Sequence, residues 1–308
     1  MTWEWQTAVY LWVAGIAGGA YLASFLIARF SGRHKELVRL ATYIGVPLVL
    51  VGVLLLVFDL GKPVRAWHLF LGLRPSSWQV VSGAGVASVR GFPPNVPFYA
   101  ASPMSLGSWI LFLFSVIGVV MMVLWFAESA GASKRAGLLG SIASGLRPLV
   151  PAAGVLSWIM LVLAVLLIAY TGVLLSATNK PLWAGALFLP VLFVVSATAT
   201  GTALLLLTQA LRGREIPHEF GRAAAVLAVF EMVALVIFLL TVPAGILVTG
   251  SLSLWFWIGV VVVGLLVPFG LELWSMKKMM RALVLASALC VLLGGLILRT
   301  VVVIGGQV

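Results

Sequence analysis

Ionisable side chains are rare within the long apolar stretches of this 308-residue chain, so each one is a candidate for chemistry. Placing such a group at the centre of a membrane costs roughly 2.5–3.5 kcal/mol on insertion scales. Glu231 lies roughly nine residues into its apolar stretch, about 13 Å at 1.5 Å per residue. It is either a neutral acid that holds neighbouring helices together or a carboxylate that relays protons.

Partners for a proton relay through Glu231 are present in the same sequence. Arg222 lies at the start of its stretch, and the hydroxyl side chains within the preceding stretch are Ser196, Thr198, Thr200 and Thr202. Threonine hydroxyls can hydrogen-bond a buried carboxyl group, although small polar residues also serve helix packing alone. We therefore predict a proton path formed by Glu231, Arg222, Thr198 and Thr200.

A second carboxylate closes an apolar stretch instead of interrupting one. Asp59 ends the second stretch, and Lys62 and Arg65 follow it closely. Asp59 could be paired with Lys62 and have a structural role only. It could also be a proton-accepting carboxylate at the mouth of a binding pocket.

Other polar side chains open or close apolar stretches at a matching depth. Thr7 and Tyr10 open the first stretch, and Tyr170 lies in the last turns of the fourth. Aromatic residues at this depth commonly anchor a helix at the lipid–water boundary. Hydroxyl and carboxylate groups brought together there could also hydrogen-bond a quinone carbonyl and exchange its protons. The predicted quinone site comprises Thr7, Tyr10, Asp59, Trp67, His68 and Tyr170.

The elements that must position these groups are transmembrane helices. The sequence is 63% hydrophobic and 9% charged, whereas a soluble domain has about 25% charged residues. The apolar runs are continuous, not alternating, and therefore predict helices and not a barrel. About 20 apolar residues cross a membrane, so we predict one all-α integral membrane domain over 1–308. Its eight predicted helices are 5–29, 40–60, 102–126, 149–175, 181–211, 222–247, 252–274 and 282–303.

The basic residues predict the orientation of the bundle. Of the 19 Lys and Arg residues, 13 lie in or beside the odd-numbered loops and 6 on the other side. The positive-inside rule places the richer side in the cytoplasm and both termini in the periplasm. The long connection 62–101 is then external, and its segment 76–101 is predicted to be an insertion. The net charge of +11 reflects this loop pattern and does not indicate nucleic-acid binding.

The sequence lacks the usual ligands of electron carriers. Cys290 is the sole cysteine, and an iron–sulfur cluster needs about four ligands. His34, His68 and His218 lie in loops or near helix ends, away from positions where two facing helices would hold haem. We expect neither haem nor an iron–sulfur cluster in this chain, so redox carriers would belong to another subunit.

The sequence also predicts where two further polar side chains lie and what one proline does to its helix. Arg299 comes late in the eighth stretch and is expected to extend towards the outer interface. Glu272 comes at a cytoplasmic end and is expected to be solvated. Pro190 falls inside the fifth stretch and is expected to kink it.

Several motifs, in order along the sequence, resemble the NrfD-like family, which includes the membrane subunit of polysulfide reductase. They are WVAGIAGGAY at 12–21, DLGKPVRAW at 59–67, SPMSLGSW at 102–109, YTG at 170–172, PLW at 181–183, and the closing Gly294-Gly295, Leu298-Arg299 and Gly305-Gly306-Gln307. The resemblance runs from end to end. It implies eight helices with both termini outside.

The resemblance also implies a function. Family members of this kind bind a menaquinone-type quinone near the periplasmic face, and the matching positions here are Thr7, Tyr10, Asp59 and Tyr170. In the polysulfide reductase relative the first two positions hold Asn and His, so this protein differs there. The resemblance further implies a ferredoxin-like iron–sulfur partner subunit and a catalytic subunit, often molybdopterin-bearing, on the periplasmic side.

Three functions are compatible with the sequence. The protein could be the quinone-reactive membrane anchor of a respiratory oxidoreductase in the prokaryotic inner membrane, with substrate chemistry on another subunit. It could be a redox-inactive structural anchor, which Glu231 argues against. It could also be an ion or proton transporter, although no internal inverted repeat is evident.

Overall fold

The structure is a computed structural model that describes residues 5–32, 35–59, 70, 103–132, 145, 147–178, 180, 182–183, 186–214, 218–277 and 280–307. All regular structure in these ranges is helical. The side chain of Asp59, together with Trp67, His68 and the segment 76–101, lies outside the described residues.

Eight helices are long and apolar enough to cross a membrane, which confirms the predicted number. Because this number is even, both termini lie on one side of the bundle, which we call the terminal face; the other side is the opposite face. The helices are α1 Trp5–Ser31, α2 Lys35–Asp59, α3 Pro103–Ala132, α4 Ala152–Ser176, α5 Leu189–Leu211, α6 His218–Thr241, α7 (Trp255–Leu266 continued by Val267–Lys277) and α8 Arg281–Gly305.

The eight helices form two groups of four. In the first group α1 packs on α2 and α4, and α3 closes the ring between them. In the second group α5 packs on α6 and α8, and α7 closes the ring. The groups meet because α1 contacts both α5 and α8, and α4 contacts α5. A polar group on α1 can therefore face either bundle.

The two most buried helices, α1 and α5, approach one another at glycines. A Cβ atom added to Gly19 would overlap the backbone of Ala197, and one added to Gly201 would overlap the backbone of Ala20. Small residues allow such close backbone contact in membranes, where lipid provides no hydrophobic drive for helix association. This contact fixes the two bundles against each other along their shared wall.

Some helix ends differ from the prediction. The fifth helix begins at Leu189, not at 181, and Pro190 lies in its first turn. A proline there lacks an N–H that would have had no helical partner, so it starts the helix and does not kink it. The sixth helix ends at Thr241 and is followed by the one-turn helix Gly245–Val248. In α7 the Trp255–Leu266 half is π-helical, a wider winding that is often found near functional sites.

Candidate functional site

A polar group lies in the first bundle near the terminal face. The α1 helix starts at this face, and Tyr10 lies about 8 Å from its first residue at 1.5 Å per residue. The α4 helix runs towards the same face and ends at Ser176, so Tyr170 lies about 9 Å before that end. The two tyrosines therefore meet at similar depth, and both are buried.

Contacts within the first bundle hold the two rings together. The Tyr170 ring packs directly on Gly107 of α3, where an added Cβ atom would overlap the ring. Tyr10 and Tyr170 interact through their hydroxyls, but this contact does not have the geometry of a hydrogen bond. Consequently the Tyr10 hydroxyl has no hydrogen-bond partner within the described part of the protein.

Two more buried polar atoms near the same face lack partners among the described residues. They are Oε1 of Gln6, one turn before Tyr10, and Oγ of Ser105, in the first turn of α3. Each unsatisfied buried polar atom costs about 1–3 kcal/mol, so three at one end of a bundle mark a place where a ligand could hydrogen-bond. A hydroxyl can donate or accept, whereas the Gln6 oxygen accepts only.

The sequence prediction missed Gln6 and Ser105. Gln6 precedes Tyr10 by four positions, which places it on the same helix face, and this spacing could have identified it. Ser105 lies within the motif at 102–109, but a serine in a transmembrane helix often serves helix packing alone.

The other predicted quinone-site residues are placed as follows. Thr7 is buried on α1, between Gln6 and Tyr10 in sequence, and it interacts with a neighbour. The backbone of Asp59 ends α2, which runs towards the terminal face. Trp67 and His68 follow it in the connection that lies outside the described residues.

The second bundle contains a group of ionisable side chains within the membrane. Arg299 of α8 is fully buried, and its Nη1 donates to the Gly295 carbonyl over 2.9 Å and to Ser196 Oγ over 3.3 Å. Glu231 of α6 is 6% exposed and interacts with the same Ser196 hydroxyl and with the Arg299 charge. Ser196 thus links the only ionisable pair that meets at mid-depth in the described residues.

The position of Arg299 corrects the expectation that it extends to the outer interface. Its guanidinium lies beside α1 at Gly15, where an added Cβ atom would be 2.7 Å from Nη2. Side chains on a helix tilt towards the helix N-terminus, and α8 begins at the opposite face. Arg299 therefore points into the bundle, and its Nε and Nη2 atoms have no hydrogen-bond partner among the described residues.

Glu272 also differs from expectation, because it is buried and not solvated. It is 6% exposed, and its Oε1 accepts a hydrogen bond of 3.0 Å from Ser287 Oγ of α8. Its other oxygen has no partner among the described residues, and the charge of Glu231 acts on the Glu272 carboxyl group. The α7–α8 contact shields this carboxyl group from water although it lies only about 8 Å from the end of α7.

The remaining predicted proton-path residues take different positions. The hydroxyls of Thr198 and Thr200 donate back to their own helix, to Val194 O over 2.7 Å and Ser196 O over 2.9 Å. Arg222 is exposed near the opposite face. Of the candidate hydroxyl partners, Ser196 is the one that interacts with Glu231, and the structure adds Arg299.

The polar groups form a series across the membrane. Glu272 and Ser287 lie nearest the opposite face, Glu231 and Ser196 near the middle, and Tyr10 near the terminal face. Along α6, Glu231 lies about 20 Å from the first residue at 1.5 Å per residue. Carboxyl and hydroxyl groups can both pass protons, so the series could connect the two faces if water fills the gaps.

The sequence of this protein is similar to those of known membrane proteins. The profile of the family described as "Polysulphide reductase, NrfD" matches residues 1–92 and 92–308. Protein NrfD of Escherichia coli (strain K12) is 31% identical over 328 residues, which cover 100% of this chain and 95% of that protein. The polysulfide reductase C subunit of Wolinella succinogenes is 26% identical over 333 residues, with the same two coverages of 100% and 95%.

A third relative agrees with these two. Protein NrfD homolog of Haemophilus influenzae is 25% identical over 334 residues, covering 100% of this chain and 95% of that protein. Together with the eight apolar helices, these matches identify a multi-pass protein of the prokaryotic inner membrane. The chain belongs to the polysulphide reductase NrfD family.

Proposed function

We propose that this protein is the quinone-reactive membrane subunit of a respiratory oxidoreductase, with its quinone site between α1, α3 and α4 at the terminal face. The observation that carries the proposal is the set of unsatisfied buried polar atoms of Gln6, Tyr10 and Ser105 at the end of the bundle where Tyr10 meets Tyr170. A quinone accepts two electrons and two protons on a lipophilic ring to become a quinol, which suits a polar pocket at a membrane boundary.

The residues would hold this ligand through complementary hydrogen bonds. The Tyr10 and Ser105 hydroxyls would donate to carbonyl oxygens, and the Gln6 oxygen would accept from a reduced hydroxyl. Tyr170 would orient the quinone ring and would keep its own hydroxyl within hydrogen-bonding reach of the quinone oxygens. Thr7 and Asp59, with Trp67 and His68, are proposed to complete the mouth of the site.

Electrons would pass between the quinone site and a partner subunit. One relative is named as the C component of polysulfide reductase, so that relative is one subunit of a multi-subunit reductase. We propose that the present protein binds a ferredoxin-like iron–sulfur subunit and, through it, a catalytic subunit that is often molybdopterin-bearing. The basic loops favour the periplasm for the terminal face, so both partners would bind there.

Protons would pass between the opposite face and the site through the second bundle, towards the site when quinone is reduced there and away from it when quinol is oxidised. The proposed route begins with Arg222 and Glu272 at the opposite face, continues through Glu231 and Ser196, and ends at Tyr10. Thr198 and Thr200 lie on the same helix as Ser196. Their hydroxyls donate to carbonyls of that helix, so they would have to rotate to join the proton route. Arg299 would hold Glu231 and Ser196 in position, since it contacts α1 on one side and α5 on the other.

The proposal is tested by Tyr170→Phe, which keeps the ring and removes the hydroxyl. Loss of a hydrogen bond that leaves a buried partner unsatisfied costs about 1–3 kcal/mol, so quinol-linked turnover should fall by about 5-fold to 100-fold. Turnover of the complex with a soluble artificial dye should stay unchanged, because the dye reaches the catalytic subunit directly.

The matched control is Tyr21→Phe in α1. Tyr21 is equally buried, but its hydroxyl donates to the Ser157 carbonyl over 3.0 Å, towards the opposite face. This variant should keep quinol-linked turnover. Equal quinol kinetics in Tyr170→Phe and in the wild type would remove Tyr170 from the site.

A further inference from the structure

A cavity of about 310 Å³ opens at the opposite face, far from the proposed quinone site. It lies between the first turns of α2 and the last turns of α5. Its lining comprises Glu36, Arg39, Leu40, Tyr43, Gln209, Arg212 and Arg214. The cavity therefore combines a strongly basic rim with a deeper apolar wall.

The arginines of the rim differ in whether they have an acidic partner. Arg214 Nη1 lies 3.3 Å from Glu36 Oε2, and Arg39 Nη2 lies 2.5 Å from Glu128 Oε2, so each of these arginines has an acidic partner. Arg212 has no acidic partner among the described residues. Arg281 adds a further positive charge beside the rim, where it donates to the Gly213 carbonyl over 2.9 Å. The cavity should therefore attract an anion.

Gln209 adds a requirement that a simple anion does not meet. Its side chain lines the cavity and is 7% exposed, and its Oε1 has no hydrogen-bond partner among the described residues. An amide oxygen accepts hydrogen bonds and does not donate them. A fully ionised phosphate group could not satisfy it, whereas a hydroxyl on the same ligand could.

The depth of the cavity indicates that its occupant is amphipathic. Gln209 lies two residues before the end of α5, at the water boundary, whereas Tyr43 lies about 12 Å into α2 at 1.5 Å per residue. The Tyr43 side chain is 40% exposed beside Leu40, on a surface that faces hydrocarbon. A ligand that fills the cavity thus extends from charged groups at the boundary to lipid.

We propose that this cavity binds the headgroup of an anionic phospholipid with free hydroxyls, of the phosphatidylglycerol type. The phosphodiester would lie against Arg212 and Arg39, and a glycerol hydroxyl would donate to Gln209. Basic pockets between transmembrane helices are a known kind of site for anionic headgroups. The proposal does not depend on the function of the quinone site.

The first test measures lipid retention by native mass spectrometry. The intact complex would be taken from nanodiscs that contain equal amounts of phosphatidylglycerol and phosphatidylethanolamine. The wild type should retain phosphatidylglycerol selectively. Arg212→Gln should lower its retention about tenfold, as expected for one charge-assisted hydrogen bond. Arg222→Gln is the matched control, because Arg222 is exposed at the same face but does not line the cavity.

The second test isolates the hydroxyl. Phosphatidylmethanol has the same phosphodiester charge as phosphatidylglycerol but no headgroup hydroxyl. The wild type should prefer phosphatidylglycerol, and Gln209→Leu should lose that preference while still retaining both lipids. Gln209→Leu removes an unsatisfied buried atom, so it should fold at least as well as the wild type.

Several results would overturn the proposal. Equal retention of phosphatidylethanolamine by the wild type would exclude an anion site. Equal effects of Arg212→Gln and Arg222→Gln would mean that the net charge of the face, and not the cavity, attracts the lipid. Full displacement of the lipid by soluble glycerol phosphate would show that the site takes a free phosphate ester instead.

Discussion

Gly107→Ala should disable the quinone site without replacing any of its polar side chains. The Tyr170 ring lies against Gly107, so an added methyl group would occupy the space of the ring. The ring must then move, or α3 and α4 must separate. Either change displaces the Tyr170 hydroxyl from its place beside Tyr10.

The size of each effect follows from the packing. Forcing one extra carbon into a packed core costs about 1–3 kcal/mol, and replacing a helical glycine by alanine returns up to about 1 kcal/mol. The net loss of unfolding free energy is therefore about 0–2 kcal/mol. Quinol-linked turnover should fall as far as in Tyr170→Phe, about 5-fold to 100-fold, because the same hydrogen bond is lost.

The assay compares quinol-linked and dye-linked turnover of the complex, with thermal unfolding in detergent measured in parallel. Gly52→Ala is the matched control, since its added Cβ would lie 3.7 Å from Tyr10 Cδ2, an ordinary contact. The double variant Gly107→Ala/Tyr170→Leu should recover stability but not quinol turnover, because the smaller side chain makes room for the methyl group. Wild-type quinol turnover and stability in Gly107→Ala would contradict the packing of Tyr170 on α3.

Three more predictions concern the second bundle and the orientation. Glu231→Gln preserves shape, so quinone binding should persist while proton uptake into proteoliposomes slows; wild-type uptake would make Glu231 structural. Gly15→Ala would place a Cβ 2.7 Å from Arg299 Nη2, so it should slow proton uptake in the same way, whereas Gly154→Ala, whose added Cβ contacts nothing within 4 Å, should not. A reporter fused after Val308 should be active in the periplasm, and activity only in the cytoplasm would reverse the proposed sides of the bundle.

The eight membrane helices could be predicted because hydrophobicity is a property of consecutive residues. The errors lie at helix ends, as at Leu189, where an apolar segment turns before it becomes helical. The meeting of Tyr10 and Tyr170 could be predicted from depth along two helices of known direction. The contact of Tyr170 with Gly107 could not, because it depends on how each helix is rotated about its own axis. Ser105 was missed for the same reason, whereas the four-residue spacing of Gln6 from Tyr10 could have identified it.

Arg299 shows that the direction of a helix determines whether a polar side chain near a membrane boundary points to water or into the bundle. Its Cα lies about 9 Å from the end of α8 at 1.5 Å per residue, which alone suggests an extended side chain at the interface. Because α8 runs towards the terminal face, however, the tilt of its side chains carries the guanidinium back towards the membrane centre. Such a charge needs room and partners inside the protein, and Gly15, Ser196 and the Gly295 carbonyl provide them. An arginine at the same depth on α1 or α5, which run the other way, would reach water instead, so the direction of α8 makes a mid-membrane charge beside Glu231 possible.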